Sequence, residues 1–241
     1  MDLTKSIAIS DLALVLKKEN ILIIADSHIG YEEALNKQGI LIPRLQFKET
    51  MKRLENIIGT RTFSKIIING DIKHEFGVIS DQEWRHTLRL LDYLKKHCDE
   101  VILIKGNHDN ILGPIARKRD VTVKEYESIG KTLIIHGDNL DKNVENILKK
   151  STTIIIGHEH PAVTLYENRR AETFKCFLKG KFKGKTLIVQ PSFNLVTEGT
   201  DVLKERLLSP FLKGDLSNFE AYIVSDKIYP FGKLKNITHT A

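Results

Sequence analysis

Short runs made wholly of aliphatic residues punctuate the chain, and between them apolar residues return every three or four positions. Residues 21–25, 66–68, 101–104, 133–135 and 154–156 are runs of the first kind. Their uninterrupted, largely β-branched character predicts strands buried on both faces, as in a parallel sheet. The segments between them carry a helical period. Residues 31–37 are predicted as a short helix, and 46–58 as a helix seated on Phe47, Met51, Leu54, Ile57 and Ile58. Residues 81–97 form a third, seated on Trp84, Leu88, Leu91, Tyr93 and Leu94. Ser80 followed three residues later by Glu83 reads as a capping-box start for it. Residues 39–43 read as a loop, 111–117 as at most a helical turn because Gly113-Pro114 interrupts it, and 143–150 as a helix. Strands are also predicted at 12–16, 121–123 and 126–129. The alternation of strand and helix implies a mostly parallel sheet covered by helices.

Beyond Pro161 the pattern changes to short strands separated by turn residues, at 163–166, 173–178, 186–189 and 221–224, which implies antiparallel pairing. Residues 177–185 read as a hairpin with a basic tip, a solvated turn before a phosphate contact. No linker or repeat divides the 241 residues, so one α/β domain, 1–241, with two sheets is expected.

The polar residues that end the apolar runs change the picture. The run at 21–25 ends in Asp26-Ser27-His28, and that at 66–68 in Asn69-Gly70-Asp71, with His74 beyond. The run at 101–104 ends in Lys105-Gly106-Asn107-His108-Asp109, that at 133–135 in His136-Gly137-Asp138, and that at 154–156 in Gly157-His158-Glu159-His160. Ligands in open α/β sheets bind beyond the carboxyl ends of strands, where all these residues fall. Asp26, His28, Asp71, Asn107, His136, His158 and His160 form a mixed nitrogen and oxygen donor set. It suits Mn²⁺ first, then Fe or Zn²⁺, and is too rich in imidazole for a dedicated Mg²⁺ or Ca²⁺ site. Seven donors are too many for one ion and enough for two sharing a carboxylate, an arrangement that clamps a phosphoryl group for in-line displacement. With no cysteine among the donors, a closed structural zinc site is not expected.

These five blocks resemble the calcineurin-like metallophosphoesterase superfamily, whose pattern runs Asp-x-His, Gly-Asp, Gly-Asn-His-Asp, a lone His and Gly-His-x-His in the same order. The resemblance implies a four-layer α/β/β/α sandwich of two mixed β-sheets. It implies that Asp26, His28 and His160 hold one metal, that Asn107, His136 and His158 hold the other, and that Asp71 bridges them. His108 is then the general acid, with Asp109 orienting its imidazole. Asp138 and Glu159 are expected behind the ligands or on the surface, and His86, His97 and His239 in structural or surface positions. More finely, Asp26-Ser27-His28-Ile29-Gly30-Tyr31-Glu32, the Gly39–Pro43 loop and Gly70-Asp71-Ile72-Lys73-His74-Glu75-Phe76-Gly77 are similar to archaeal phosphoesterases related to the SbcD-type nucleases. Bacterial relatives of these include the ligase-associated DNA-damage-response endonucleases. Gln190-Pro191-Ser192-Phe193-Asn194 resembles a late segment of the same group. The long carboxyl-terminal capping domain of a full SbcD-type nuclease has no counterpart here, so processive duplex resection is not expected.

Charge and composition sharpen the partner rather than the chemistry. Hydrophobic content of 41% and charged content of 28% are those of a globular protein, and no apolar run reaches the roughly 20 residues of a membrane span. Two cysteines away from the donor blocks, and no secretory signal, lead to a cytoplasmic expectation. A net charge of +6 fits a nucleic-acid partner and fits equally a lysine-rich solvated surface. Arg44, Lys73 and His74 are candidate substrate contacts, with Lys105 and the run Arg117-Lys118-Arg119 as possible extensions of a basic track. The function expected is two-metal phosphodiester hydrolysis, in DNA ahead of a small nucleotide or cyclic nucleotide. The alternative from another class is a non-catalytic scaffold on the same fold, disfavoured because every donor and His108 are present.

Overall fold

The apolar run Ile21–Ala25 is a strand buried over its whole length, and so are the last four residues of Phe63–Asn69 and of Cys98–Ile104. A computed structural model gives the protein's structure and describes residues 1–75, 79–109, 112–167 and 170–237. The predicted helical turn begins at Ile111, and the motif after Asp71 includes Phe76 and Gly77; these three residues and His239 lie outside the described residues. Two units divide the chain: Met1–Glu125 with Phe193–Thr197, and Tyr126–Ser192 with Glu198–Ala241.

In the first unit six strands follow one another across the sheet in sequence order: β1 (Ile7–Ser10), β2 (Ala13–Leu16), β3 (Ile21–Ala25), β4 (Phe63–Asn69), β5 (Cys98–Ile104) and β6 (Thr122–Lys124). β1, β2 and β3 pair antiparallel, whereas β3 to β6 are parallel, so the sheet is mixed. β1 was not among the predicted strands, although Ile7 and Ile9 are buried on alternate positions. The strand predicted from Leu12 begins one residue later because Asp11, at φ 56°, turns the chain.

Four helices belong to this unit: α1 (Tyr31–Lys37), α2 (Gln46–Ile58), α3 (Asp81–Lys95) and α4 (Gly113–Arg119). α2 buries Phe47, Leu54, Ile57 and Ile58 as its period predicts. Each such side chain is worth about 1.5–3 kcal/mol when fully removed from water. On α3 the buried stripe is Leu88, Leu90, Leu91 and Leu94, while Trp84 and Tyr93 stay half-buried at its margin. Gly113-Pro114 does not interrupt α4; it starts it. Proline lacks an N–H that the first turn has no use for, and its fixed φ suits that position.

The second unit holds β7 (Tyr126–Ile129), β8 (Thr132–Ile135), α5 (Lys142–Leu148), β9 (Thr153–Ile156), β10 (Pro161–Glu167), β11 (Arg170–Phe182), β12 (Lys185–Val189), β13 (Thr200–Asp201), β14 (Glu220–Val224) and β15 (Ile228–Lys233). Its sheet is also mixed, with β8–β9, β9–β12 and β10–β13 parallel and the other pairs antiparallel. β11 is its spine: it pairs with β10 over its first half and with β12 and β14 over its second. The β11–β12 turn uses Lys183 and Gly184, both at positive φ, as a tight hairpin requires. Its lysines bind within the unit, Lys183 to Glu145 at 2.8 Å and Lys185 to the Ser151 carbonyl at 2.5 Å, so the tip is structural. Leu133, Ile154, Ile156, Leu178, Leu187, Phe211 and Phe219 contribute to this unit's core.

The start of α3 carries more than a helix cap. Ser80 Oγ accepts from Glu83 N–H at 3.1 Å, and the Glu83 carboxylate accepts from Ser80 N–H at 3.4 Å, completing the predicted box. The same buried carboxylate also accepts from the N–H groups of His74 and Glu75, each at 2.9 Å. Removing only the hydroxyl, in Ser80→Ala, is expected to cost about 1 kcal/mol. Glu83→Ala strands several buried donors at roughly 1–3 kcal/mol each and is expected to cost about 3 kcal/mol or more. Urea unfolding of the two variants checks this; equal losses would show that Glu83 acts only as a cap.

Candidate metal centre

The register of the parallel strands places the predicted donors of the first unit. Ala25 lies opposite Asn69, and Asn69 opposite Ile104, so Asp26, Gly70-Asp71 and Lys105-Gly106-Asn107 leave the sheet at one level. The turns are then stitched together. His28 N–H donates to the Asp71 carbonyl, Ile29 N–H to that of Ile72 and Gly70 N–H to that of Ile104, each at 2.9 Å. The Asp71 carboxylate accepts from His108 N–H at 2.8 Å. Gly106 is required by space: a Cβ there would fall within the Asp71 backbone and carboxylate.

Asp26 (φ 50°) and His28 (φ 41°) have left-handed backbones. That conformation costs a residue with a Cβ roughly 1–2 kcal/mol, so the surroundings must enforce it. Phe193 N–H donates to the Ala25 carbonyl at 2.7 Å and Asn194 N–H to that of Asp26 at 3.2 Å. Gln46, the first residue of α2, directs its amide to the Ser27 carbonyl at 3.2 Å and to Asn194 Oδ1 at 3.1 Å. The Gln190–Asn194 segment picked out in the sequence therefore includes a strap over the end of β3. Gln46 was not singled out by its sequence position, where it reads as an ordinary first-turn residue.

His28, His74 and His108 each offer a ring nitrogen within 4.8 Å of the others. His28 Nε2 lies 3.8 Å and His108 Nε2 4.0 Å from Asp71 Oδ2. His74 stacks on Tyr31, with centroids 4.1 Å apart. Burial, then the neighbouring His108 and Lys73, lower the His74 pKa to about 4, so its ring is neutral at physiological pH.

Two expectations are corrected here. Asp109 does not orient the His108 imidazole: its carboxylate accepts from the N–H groups of Gly106 at 3.1 Å and Ile72 at 3.3 Å. His108 Nδ1 instead lies 2.5 Å from the His74 carbonyl. Burial and the adjacent Asp71 charge raise the Asp109 pKa to about 7. Lys73 is no surface cation for substrate. Its side chain is fully buried, and its ammonium donates to the carbonyls of His108, at 2.6 Å, and of Glu75. The His74 ring lies 5.5 Å from those of His28 and His108. Arg44 is exposed beside α2.

The second unit carries the other predicted donors on its own strand ends. β8 and β9 pair so that His136 and Gly157-His158 follow side by side; Gly157 N–H donates to the His136 carbonyl at 2.9 Å, and His158 Nδ1 is 3.2 Å from His136 Nε2. His158 (φ 61°) and His160 (φ 49°) are again left-handed. Glu159 is 1% exposed and accepts from Leu208 N–H at 2.9 Å and Ser209 N–H at 2.8 Å, while Ser209 Oγ donates to the Gly137 carbonyl at 2.7 Å. Glu159 is thus a buried clamp, and Asp138 is half-buried beside Asn139. Among the described residues eight with a Cβ have positive φ, and four of them are Asp26, His28, His158 and His160. Half of these strained positions are therefore predicted donors, and such strain persists only where the surroundings enforce it. Imidazole, carboxylate and amide donors on rigid strand ends fit a borderline divalent ion.

Residues 19–186 match the sequence profile of the calcineurin-like phosphoesterases. A nuclease, MPE of Pseudomonas putida, has a similar structure, with a TM-score of 0.65, 20% identity and 92% of each chain covered. A protein of unknown function from Aquifex aeolicus (TM-score 0.42, 20% identity, 58% of this chain and 78% of that one) is more distantly similar. So is zinc-complexed Vps29 of Entamoeba histolytica (TM-score 0.40, 16% identity, 87% and 95%). No curated protein sequence matches. The α/β fold with two mixed sheets and the donor-bearing strand ends define a metal-dependent phosphoester hydrolase. The chain belongs to the calcineurin-like phosphoesterase family.

Lys73 offers a test of how the His108 turn is held. Lys73→Met keeps the buried stem and removes the ammonium that joins the His108 and Glu75 carbonyls. Small misplacement of a reacting group can cost about 10²-fold in rate. We expect kcat on bis-p-nitrophenyl phosphate to fall by about tenfold to a hundredfold while bound metal, measured by elemental analysis, is retained. A parallel loss of metal would contradict this role.

Proposed function

We propose that the protein is a two-metal phosphodiesterase that cleaves nucleic acid, DNA in the first instance. In this reading Asp26, His28 and His160 hold one ion, Asn107, His136 and His158 the other, and Asp71 serves both, with Mn²⁺ the favoured metal and Fe or Zn²⁺ the alternatives. Bound ions of this kind supply Lewis-acid polarisation of the phosphoryl oxygens and a nucleophile at neutral pH. The observation that carries the reading is the level exit of Asp26, Asp71 and Asn107 from three parallel strands, with left-handed strain on the adjoining donors. The similar fold of a nuclease and the net charge of +6 support nucleic acid as substrate.

His108 is the group assigned to proton transfer. Its Nδ1 faces a carbonyl oxygen, which only accepts, so Nδ1 carries the hydrogen and Nε2 is the nitrogen that gains and gives up the second proton. A ring fixed in this way presents Nε2 to a leaving oxygen without losing its orientation. Asp71 would contribute twice, as a carboxylate able to hold metal and through the backbone bond that anchors the His108 turn.

The broad test is turnover of bis-p-nitrophenyl phosphate, single-stranded DNA, duplex DNA and cyclic nucleotides with Mn²⁺ present or chelated. Cyclic nucleotide turnover without DNA cleavage would move the assignment to a small substrate, and no turnover at all would favour a scaffold.

Two variants probe the assignment. Asp71→Asn is expected to lower occupancy at both metal positions and abolish turnover; two ions retained with near-normal activity would remove it as the shared ligand. His108→Ala is expected to keep both metals and lower kcat by roughly 10²–10⁴. That loss should shrink for esters whose leaving group needs no proton, and a loss independent of the leaving group would exclude His108 as the acid.

A further inference from the structure

α2 and α3 form a groove of about 470 Å³ whose lining is cationic and which holds none of the predicted metal donors. Arg44, Lys48 and Lys52 fall four residues apart and line it, and Arg89 of α3 lines it with them. All four are exposed, and among the described residues none makes an ion pair. Other cations nearby are already committed: Arg53 to Asp11 at 2.7 Å, and Arg119 to Asp92 at 2.5 Å. Glu55 is the one carboxylate among the lining residues.

Aromatic contacts line the base of the groove. The Phe47 ring is buried at its base, with the His86 ring stacked on it at 4.1 Å and 8° and the Arg89 guanidinium 5.1 Å from its centroid. Burial, then Arg89 and Arg85, depress the His86 pKa, as expected in a field of positive charge.

We propose that this groove binds nucleic acid, seating the sugar–phosphate backbone of one strand along Arg44, Lys48 and Lys52 with Arg89 alongside. Lys48 and Lys52 stand one four-residue helical step apart on α2, about 6 Å along its axis, and Arg44 precedes the helix, so the cations form a row that can follow one strand's backbone. The lining is cationic rather than a set of planar rings open to solvent, which points to backbone contact instead of base reading. α2 belongs to the same unit as β3, and its first residue, Gln46, bonds to the Ser27 carbonyl that follows β3. A strand whose scissile phosphate lay beyond β3 would meet α2 next, whereas a small phosphoester would leave the groove unused. The inference rests on the nuclease reading of the metal centre.

The experiment is anisotropy of a labelled oligothymidylate over a range of salt, in Ca²⁺. For wild type, log affinity should fall linearly with log salt. In Lys48→Gln/Lys52→Gln, affinity at low salt should drop about tenfold or more, and the slope should lessen by about 1.4, two single-strand contacts at roughly 0.7 each. Lys5→Gln/Lys18→Gln removes the same charge from exposed positions at the opposite end of β3 and should keep the wild-type slope. Lys48→Arg/Lys52→Arg should bind as wild type, which separates charge from helix stability. Equal effects of the two glutamine pairs, absence of wild-type binding, or competition by polyglutamate as strong as by unlabelled oligothymidylate would overturn the groove. Wild-type turnover of bis-p-nitrophenyl phosphate distinguishes the failures. Turnover with no groove effect sinks the groove alone, and its absence sinks the metal-centre reading while leaving a groove effect on binding intact.

Discussion

Two buried carboxylates, Asp71 and Asp109, clasp the turns that follow β4 and β5. Asp71 accepts from His108 N–H, and Asp109 accepts from the N–H groups of Gly106 and Ile72. Each bond satisfies a backbone donor that the end of a strand leaves over, and together they hold the two turns face to face. The cost is electrostatic. Burial first, and then the neighbouring Asp71 charge, disfavour ionisation of Asp109 and push its pKa up to about 7. Nearby positive charge lowers that cost.

The same device recurs at three other carboxylates. Glu83 gathers the N–H groups of His74 and Glu75, and Glu32 accepts from Gln46 N–H at 2.8 Å. In the second unit Glu159 gathers those of Leu208 and Ser209 beside His158 and His160. These acids fix backbone. Rigid turns can then carry residues in left-handed conformations, since the summed backbone bonds outweigh a strain of one or two kcal/mol per residue. Precision at the donors comes from backbone clamping rather than from the donors' own rotamers.

Lys73 shows the cationic counterpart. A fully buried ammonium needs acceptors, and it finds them in the carbonyls of His108 and Glu75. Through the His108 carbonyl it reaches the residue whose imidazole is held by the His74 carbonyl, so one cation and one carbonyl contact set both the place and the tautomer of that ring. The exposed cations of α2 are of a different kind, turned to solvent on one helix face. Burial separates these structural and surface roles among residues of identical charge.

What the sequence determined by itself was local. Five aliphatic runs, each ended by Asp, Asn or His, located the strands that bear the donors, and the Ser80–Glu83 spacing located the start of α3. Those signals survive without tertiary information because period and capping are properties of neighbouring residues. β1, β13 and β15 escaped notice because short strands are stabilised by their partners rather than by their own composition. Gly113-Pro114 misled because proline breaks a helix interior yet starts a helix well, and only the surrounding chain says which position it holds. The roles of Asp109 and Lys73 were beyond the sequence for a deeper reason. A carboxylate or ammonium chooses its partner from whatever backbone the fold brings to it, and the partners here, from Ile72 to Asp109 and from Lys73 to His108, lie more than thirty positions away. Tertiary structure alone decided which charged groups hold the turns and which remain at the surface, because burial makes an unpartnered charge too costly to leave unpaired.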